Sequence, residues 1–341
     1  MLFGVLPLRR LEVSSTSLSL VSCAKNGSKI TVIFGLVLTT LFFLAGCASQ
    51  KGRVSDTDYL SMLPEDAEIY LHFPVQENSR FASQLITSFD PNIEASDTQK
   101  LIKRFDTIYG AVKNGQFSAV ATGSFPKLGL GFALKEKNGW KKIKDSAVPV
   151  TGAYYQYQNL PLQIAFPSSS VMMIAPQVDE LLSSYEQQIE GIAIIDTHPL
   201  AVFVADHEYT FIENTKLDEN TISGNQSIDF YISDVVSVVL PIVKTTLPIN
   251  LPLTDLYGSF IPQGDSTAST TTEEIEYSFV GYLGLSDARA MKPALTVLRL
   301  VIRGLLGFDL TCSSVGDTTI KISGVTVSEK TLGDLLKQAL Q

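Results

Sequence analysis

Three histidines, His72, His198 and His207, bound the acid–base chemistry this chain can perform. A Ser-His-Asp triad requires a serine on a strained turn beside one of them, and no Gly-x-Ser-x-Gly occurs. The nearest approach, Gly123-Ser124-Phe125-Pro126, lacks the second glycine, and its echo at Gly258-Ser259-Phe260 reads as a structural turn. Asp206-His207-Glu208 is the densest titratable cluster. On an extended chain Asp206 and Glu208 share one side while His207 faces away, and a hard cation held there would need further oxygen ligands from elsewhere. The cluster reads as a solvated strand end, and His72 as a residue of the polar face of its strand. No paired-cysteine motif, phosphate loop or dinucleotide fingerprint is present. The expectation is therefore no catalytic residue, no metal ligand and no cofactor.

One covalent site does stand out. Lys25 and Lys29 precede an uncharged apolar run, Ile30 to Phe43, which is short for a membrane span but of signal-peptide length. It ends at Leu44-Ala45-Gly46-Cys47, which resembles the lipobox of bacterial lipoproteins. The resemblance implies cleavage before Cys47 and a diacylglycerol on its thiol, an anchor stabilised by about 0.8 kcal/mol per buried CH₂. Residues 1–20 fit neither a signal peptide nor a domain and read as a mis-assigned start. On this reading residues 1–46 are the signal region and 47–60 a lipidated tether. The membrane is then a partner through the acyl chains on Cys47, on the extracytoplasmic side.

Loss of residues 1–46 removes four cations and Glu12 and takes the formal charge from −9 to −12. An acidic chain disfavours nucleic acid and anionic headgroups as primary partners. Lys141, Lys142 and Lys144 beside Trp140 read as a polar edge with one amphipathic aromatic. Of the three cysteines only Cys312 remains unassigned, so no disulfide forms in the mature chain, and Cys312 reads as a small buried hydrophobe.

The elements follow from periodicity. Ile69, Leu71 and Phe73 alternate with Glu68, Tyr70 and His72, which predicts a strand with one solvated face. Asn78 can cap a helix carrying Phe81, Leu85, Ile86 and Phe89. Ser96 and Gln99 suggest a capping box for a helix through Leu101, Ile102, Phe105, Ile108, Tyr109 and Val112, stopped at Asn114-Gly115. Strands are predicted over 116–124, 154–158, 162–166 and 171–175 and a helix over 177–188; over 127–137 Leu128, Leu130, Phe132 and Leu134 alternate as in a strand, whereas Pro126 and Asn138-Gly139 favour a helix. Beyond 191 come strands at 200–205 and 230–232, an apolar helix from Val235, a mobile loop over 264–272 and a strand through Ile275, Tyr277 and Phe279. Ser286 should cap the next helix, a hairpin turns at Gly316-Asp317, and a final helix carries Leu332 to Leu340. Hairpins mixed with helices predict an α+β fold. The order of elements suggests two similar halves, 61–190 and 191–341, each a mainly antiparallel sheet with helices on one face.

Leu63-Pro64-Glu65-Asp66-Ala67, Gly123-Ser124-Phe125-Pro126 and Asn138-Gly139-Trp140-Lys141-Lys142 resemble a group of uncharacterised spirochaete lipoproteins. That resemblance implies an envelope location and supplies no known activity or catalytic residues to carry over. The favoured function is a non-enzymatic binding or structural module of the envelope whose partner is an envelope protein. A carrier or sensor of a hydrophobic ligand ranks second, with an acyl groove lined by Val238, Ile242, Val301 and Ile302 on two apolar helices. An envelope hydrolase ranks third.

Overall fold

The protein's structure, a computed structural model, describes residues 56–89, 94–126, 134–144, 153–190, 226–242, 251–264, 274–306 and 311–339. The expected strand at 200–205, the Asp206-His207-Glu208 cluster, Cys47 and nearly all of the 264–272 loop lie outside these residues, as do residues 127–133 of the expected helix.

In chain order the elements are α1 (Asp56–Ser61), β1 (Ile69–Pro74), α2 (Ser79–Phe89), α3 (Ala95–Ile102), β2 (Phe105–Lys113) and β3 (Gln116–Gly123). Next come β4 (Trp140–Lys144), β5 (Ala153–Tyr157), β6 (Gln163–Ala165), β7 (Val171–Ala175) and α4 (Asp179–Ile189). Then follow β8 (Ile228–Ile232), α5 (Val235–Ile242), β9 (Leu253–Gln263), β10 (Glu276–Leu285) and α6 (Met291–Leu306). The chain closes with β11 (Thr311–Val315), β12 (Thr319–Ser328) and α7 (Glu329–Ala339).

The α+β class and the antiparallel pairing are as the sequence predicts. The two runs of strands are joined into one 12-stranded sheet, in the order β11-β12-β10-β9-β8-β1-β2-β3-β7-β6-β5-β4. The join is β1, which pairs antiparallel with β2 on one side and β8 on the other. This central place explains why neither face of β1 is solvated, contrary to the sequence reading. Phe73 packs in the cluster of α2, α3 and α7, with Phe81, Leu101, Phe105, Trp140, Met172, Tyr277 and Leu332. Tyr70 is fully buried on the opposite face, in the cluster of α1 and α4, with Tyr59, Leu60, Tyr109, Met173, Leu181 and Leu182. Helices thus flank both faces of the β1–β7 part of the sheet. A third cluster, of Val235, Leu283, Leu285, Ala294, Leu298, Cys312, Ile320 and Ile322, fixes α5 and α6 on strands β10 to β12. Tyr59 and Leu60, expected at the end of the tether, lie on α1 and are buried in the core.

The helix predicted through Val112 stops at Ile102 and gives way to β2. Spacings of four residues satisfy both a helix and a strand, and Phe105, Tyr109 and Ala111 are buried on a strand. Asn114 and Gly115, read as a helix stop, adopt φ of 52° and 67°. Two consecutive left-handed residues make the tight hairpin that sets Lys113 opposite Gln116. Ser96 is not the cap. The backbone carbonyl of Glu94 accepts from the amides of Asp97 and Thr98. Asp287, not Ser286, caps the turn into α6, by accepting from the amide of Arg289 at 2.9 Å. The two Gly-Ser-Phe stretches are unlike in structure, since Gly123 ends β3 whereas Gly258 lies inside β9.

Two glycines separate conformational from steric demand. Gly115 needs its left-handed φ but has open space around it, whereas a Cβ at Gly123 would overlap the carbonyl oxygen of Arg104. Gly115→Ala should cost about 1 kcal/mol and Gly123→Ala about 3 kcal/mol, measured as shifts in urea denaturation midpoints at unchanged slope.

Candidate functional site

Antiparallel register builds the site across the β1–β8 join. On one face Tyr109, His72, Asp229 and Ser259 are direct cross-strand neighbours along β2, β1, β8 and β9. His72 Nδ1 donates to Asp229 Oδ2 at 3.0 Å, and the imidazole stacks on Tyr109 at 5.3 Å. Ser259 Oγ donates to Asp229 Oδ1 at 2.6 Å and Ser227 Oγ to Oδ2 at 3.2 Å. His72 is therefore not a solvated residue. Its side chain is 13% exposed and that of Asp229 10%. The pair is 157 positions apart in sequence, so no local pattern announces it.

This set contains a serine, a histidine and an aspartate, but not the connectivity of a triad. A triad places the serine on the imidazole so that its proton can leave. Here both serines bond the carboxylate. Three donors engage both oxygens of Asp229 and the cluster pins the strands in register. No group of three or more metal-ligating side chains occurs among the described residues.

The next row on the same face carries Ala111, Tyr70, Tyr231, Tyr257, Tyr282 and Lys321 across six strands. Tyr231 lies 6.0 Å from Tyr70 and 4.4 Å from Tyr257 between ring centroids. Burial pushes the Tyr70 phenol up to about 12, its bond with the Ala67 amide notwithstanding.

The opposite face carries a phenylalanine stack that sequence reasoning missed. Phe230, Phe260 and Phe279 lie 5.2 to 6.2 Å apart between centroids. Gly258 and Gly281 are cross-strand partners beneath them, and the rings of Phe230 and Phe279 occupy the space a Cβ would need. The stack is half-buried and joins the cluster of α2, α3 and α7 to that of α5 and α6. The available signal was the pair of glycines at paired positions of strands rich in aromatics. Of the predicted groove residues, Val238 is half-buried on α5 and Ile242 ends that helix, while Val301 and Ile302 lie on α6. The side chains of Ile242, Val301 and Ile302 lie outside the described residues.

A second buried polar cluster ties α2 to α7. Glu329 Oε2 accepts from Arg80 Nε at 3.3 Å and from Gln84 Nε2 at 2.6 Å. Its Oε1 is buried and has no hydrogen-bond partner among the described residues. Burial raises the Glu329 carboxyl above its ordinary range, with Arg80 pulling the other way. Nearby, Asn78 donates to the carbonyls of Pro74 and Gln226 and accepts from the Tyr277 hydroxyl at 3.2 Å. Asn78 is therefore a junction between elements, not a simple cap. Cys312 is buried as expected, and burial pushes its thiol up against the pull of Arg299.

An antiparallel sheet with helices on both faces of its first run of strands, joined through a buried polar row, defines an α+β fold. The same fold occurs in the solved structures of TP0453. Crystal form I matches with a TM-score of 0.57 at 19% identity, over 85% of this chain and 100% of that one. Crystal form III matches with a TM-score of 0.55 at 20% identity, over 84% and 99%. Outer membrane protein TP0453 of Treponema pallidum (strain Nichols) is 25% identical over 128 residues, which are 37% of this chain and 42% of that protein. The aligned segment thus spans less than half of that curated relative. The sequence model of the family described as outer membrane-associated lipoprotein TP0453 matches residues 55–333, and the chain belongs to that family. It is a membrane-anchored, extracytoplasmic protein of the cell envelope.

Two measurements test the polar clusters. Asp229→Ala strands one imidazole and two hydroxyls and should cost about 2–3 kcal/mol in urea unfolding, against about 1 kcal/mol for Ser227→Ala. The carboxyl of Glu329 is raised, so the fold binds its proton more readily than the unfolded chain does. Its contribution is fully present below the ordinary value of 4.5 and is lost as pH rises through the folded value. Glu329→Gln should therefore be more stable than the wild type near neutral pH, with the difference shrinking towards pH 4.5 in paired urea titrations.

Proposed function

We propose that this protein is a non-enzymatic binding or structural module of the envelope, held at the membrane by acyl chains on Cys47. Its partner is another envelope protein, and the proposed organisation is a short lipidated tether followed by the halves 61–190 and 191–341. The observation that carries this reading is the use made of the polar groups. Asp229 spends its acceptors on His72, Ser227 and Ser259, and Glu329 engages Arg80 and Gln84, so both clusters hold strands and helices together. A base poised for catalysis needs a substrate-facing or nucleophile-facing bond, and neither cluster has one among the described residues.

The phenylalanine stack favours a second reading, a carrier or sensor of a hydrophobic ligand. It presents three half-buried rings beside α5 and α6, the helices that carry Val238, Ile242, Val301 and Ile302. An acyl chain entering there would meet apolar and aromatic surface.

Native mass spectrometry of the mature protein, gently released, separates the two. A solvent-extractable mass of lipid size beyond the anchor, lost in Phe260→Ser, is the outcome expected of the carrier. Its absence, together with a specific crosslinked protein in intact envelopes, is expected of the binding module. Replacement of Cys47 by serine should abolish fatty-acid labelling and release the chain from membranes.

A further inference from the structure

We propose that the β4 edge of the sheet docks on anionic lipid headgroups and so orients the protein on the bilayer. This rests on the membrane anchoring above but not on either reading of the partner. Five of the 22 cations in residues 47–341 fall within residues 135–144, as Lys135, Lys137, Lys141, Lys142 and Lys144, with Glu136 the sole carboxylate there. Net charge averages this away, and the fold segregates it. β4 is the outermost strand, and Lys141, Lys142 and Lys144 are exposed on it. Their cross-strand neighbours are Gln156, Tyr155 and Ala153. Strands β5, β6 and β7 contain no Asp or Glu. Among the described residues none of these three lysines is in an ion pair.

The neighbouring side chains match the same partner. Lys142 Nζ lies 5.5 Å over the Tyr155 ring, and Tyr154, Tyr155 and Tyr157 are half-buried on β5. Lysines that snorkel beside tyrosines are the residues that meet the water–bilayer interface. Trp140 is fully buried, so the contact is electrostatic at headgroup level, without aromatic insertion. Lysines also guard sheet edges against mispairing. That alone does not account for the pattern, because β11 at the opposite edge, Thr-Cys-Ser-Ser-Val, carries no charge.

Trp140 is the chain's single tryptophan and begins β4, which makes it the reporter. The mature acylated protein is reconstituted into vesicles of phosphatidylcholine alone, or with about a third phosphatidylglycerol, each carrying dansyl-labelled headgroups. Each lysine near an anionic surface contributes about a fivefold gain in association. Energy transfer from Trp140 should therefore be higher in the anionic vesicles. It should fall to the neutral value at about 1 M salt, where the Debye length is about 3 Å, and in a Lys141→Gln, Lys142→Gln, Lys144→Gln variant. Lys292→Gln with Lys330→Gln, exposed lysines of α6 and α7, should retain the effect. Equal transfer in both vesicles, or an anionic gain that survives the triple substitution, overturns the proposal. Flotation with neutral vesicles reads the anchor separately, so its failure is distinguishable; if it fails, flotation with anionic vesicles becomes the readout, and binding that the triple substitution leaves intact overturns the proposal.

Discussion

The double pairing of β1 is the constraint on which the structure depends. One six-residue strand hydrogen-bonds to β2 and to β8, and both of its faces are covered. Every other strand is reached through it, outward to β4 on one side and to β11 on the other. A register slip by one residue would exchange Tyr70 for Leu71 and move His72 off the face of Asp229. The hydrogen-bonded Asp229 and the buried Tyr70 make such a slip costly, because each would leave its hydrogen-bonding groups without partners. Tyr70 also donates to the Pro64 carbonyl, which ties the turn before β1 to the strand.

How much of this was legible depended on whether the determining contact was local. The hairpin at Gly316-Asp317, the strand 171–175, the strand expected over 116–124 and found over 116–123, and the helix over Phe81, Leu85 and Ile86 all follow from short-range periodicity and turn chemistry. The stretch 105–113 failed for a definite reason. Phe105 and Tyr109 are four apart, a spacing that both periods accept, and Asn114-Gly115 suits a helix end as well as a hairpin. Only pairing with β1 decides between them. The status of His72 was likewise set by Asp229, from the far side of the chain. The phenylalanine stack needed Gly258 and Gly281 to be placed opposite each other, which register alone does.

Polar burial in this protein follows one logic at two places. The His72–Asp229 row locks strand to strand, and the Arg80–Glu329 cluster with Asn78 and Tyr277 locks α2 to α7 and β10. In both, residues from the N-terminal part of the chain meet residues beyond 226. The apolar clusters supply most of the driving force, since burial is non-directional, but they do not choose the alignment of the two runs. The directional bonds do. Among the described residues the buried carboxyl of Glu329 is only half-satisfied, and such burial costs stability.

The central place of β1 also has a temporal side. A chain that crosses a membrane from its N-terminus delivers β1, β2 and β3 early, and they can pair at once because their contacts are close in sequence. The strand that covers the other side of β1 arrives only after some 150 further residues, as the 157-position separation of His72 and Asp229 requires. Until then β1 presents an open row of backbone donors and acceptors, with Leu71 and Phe73 on one face and Tyr70 and His72 on the other, as an unpaired edge. The strand that makes the finished protein a single body is thus the most adhesive part of the unfinished one. Partial products ending between β7 and β8 are the species that envelope chaperones and proteases would meet first.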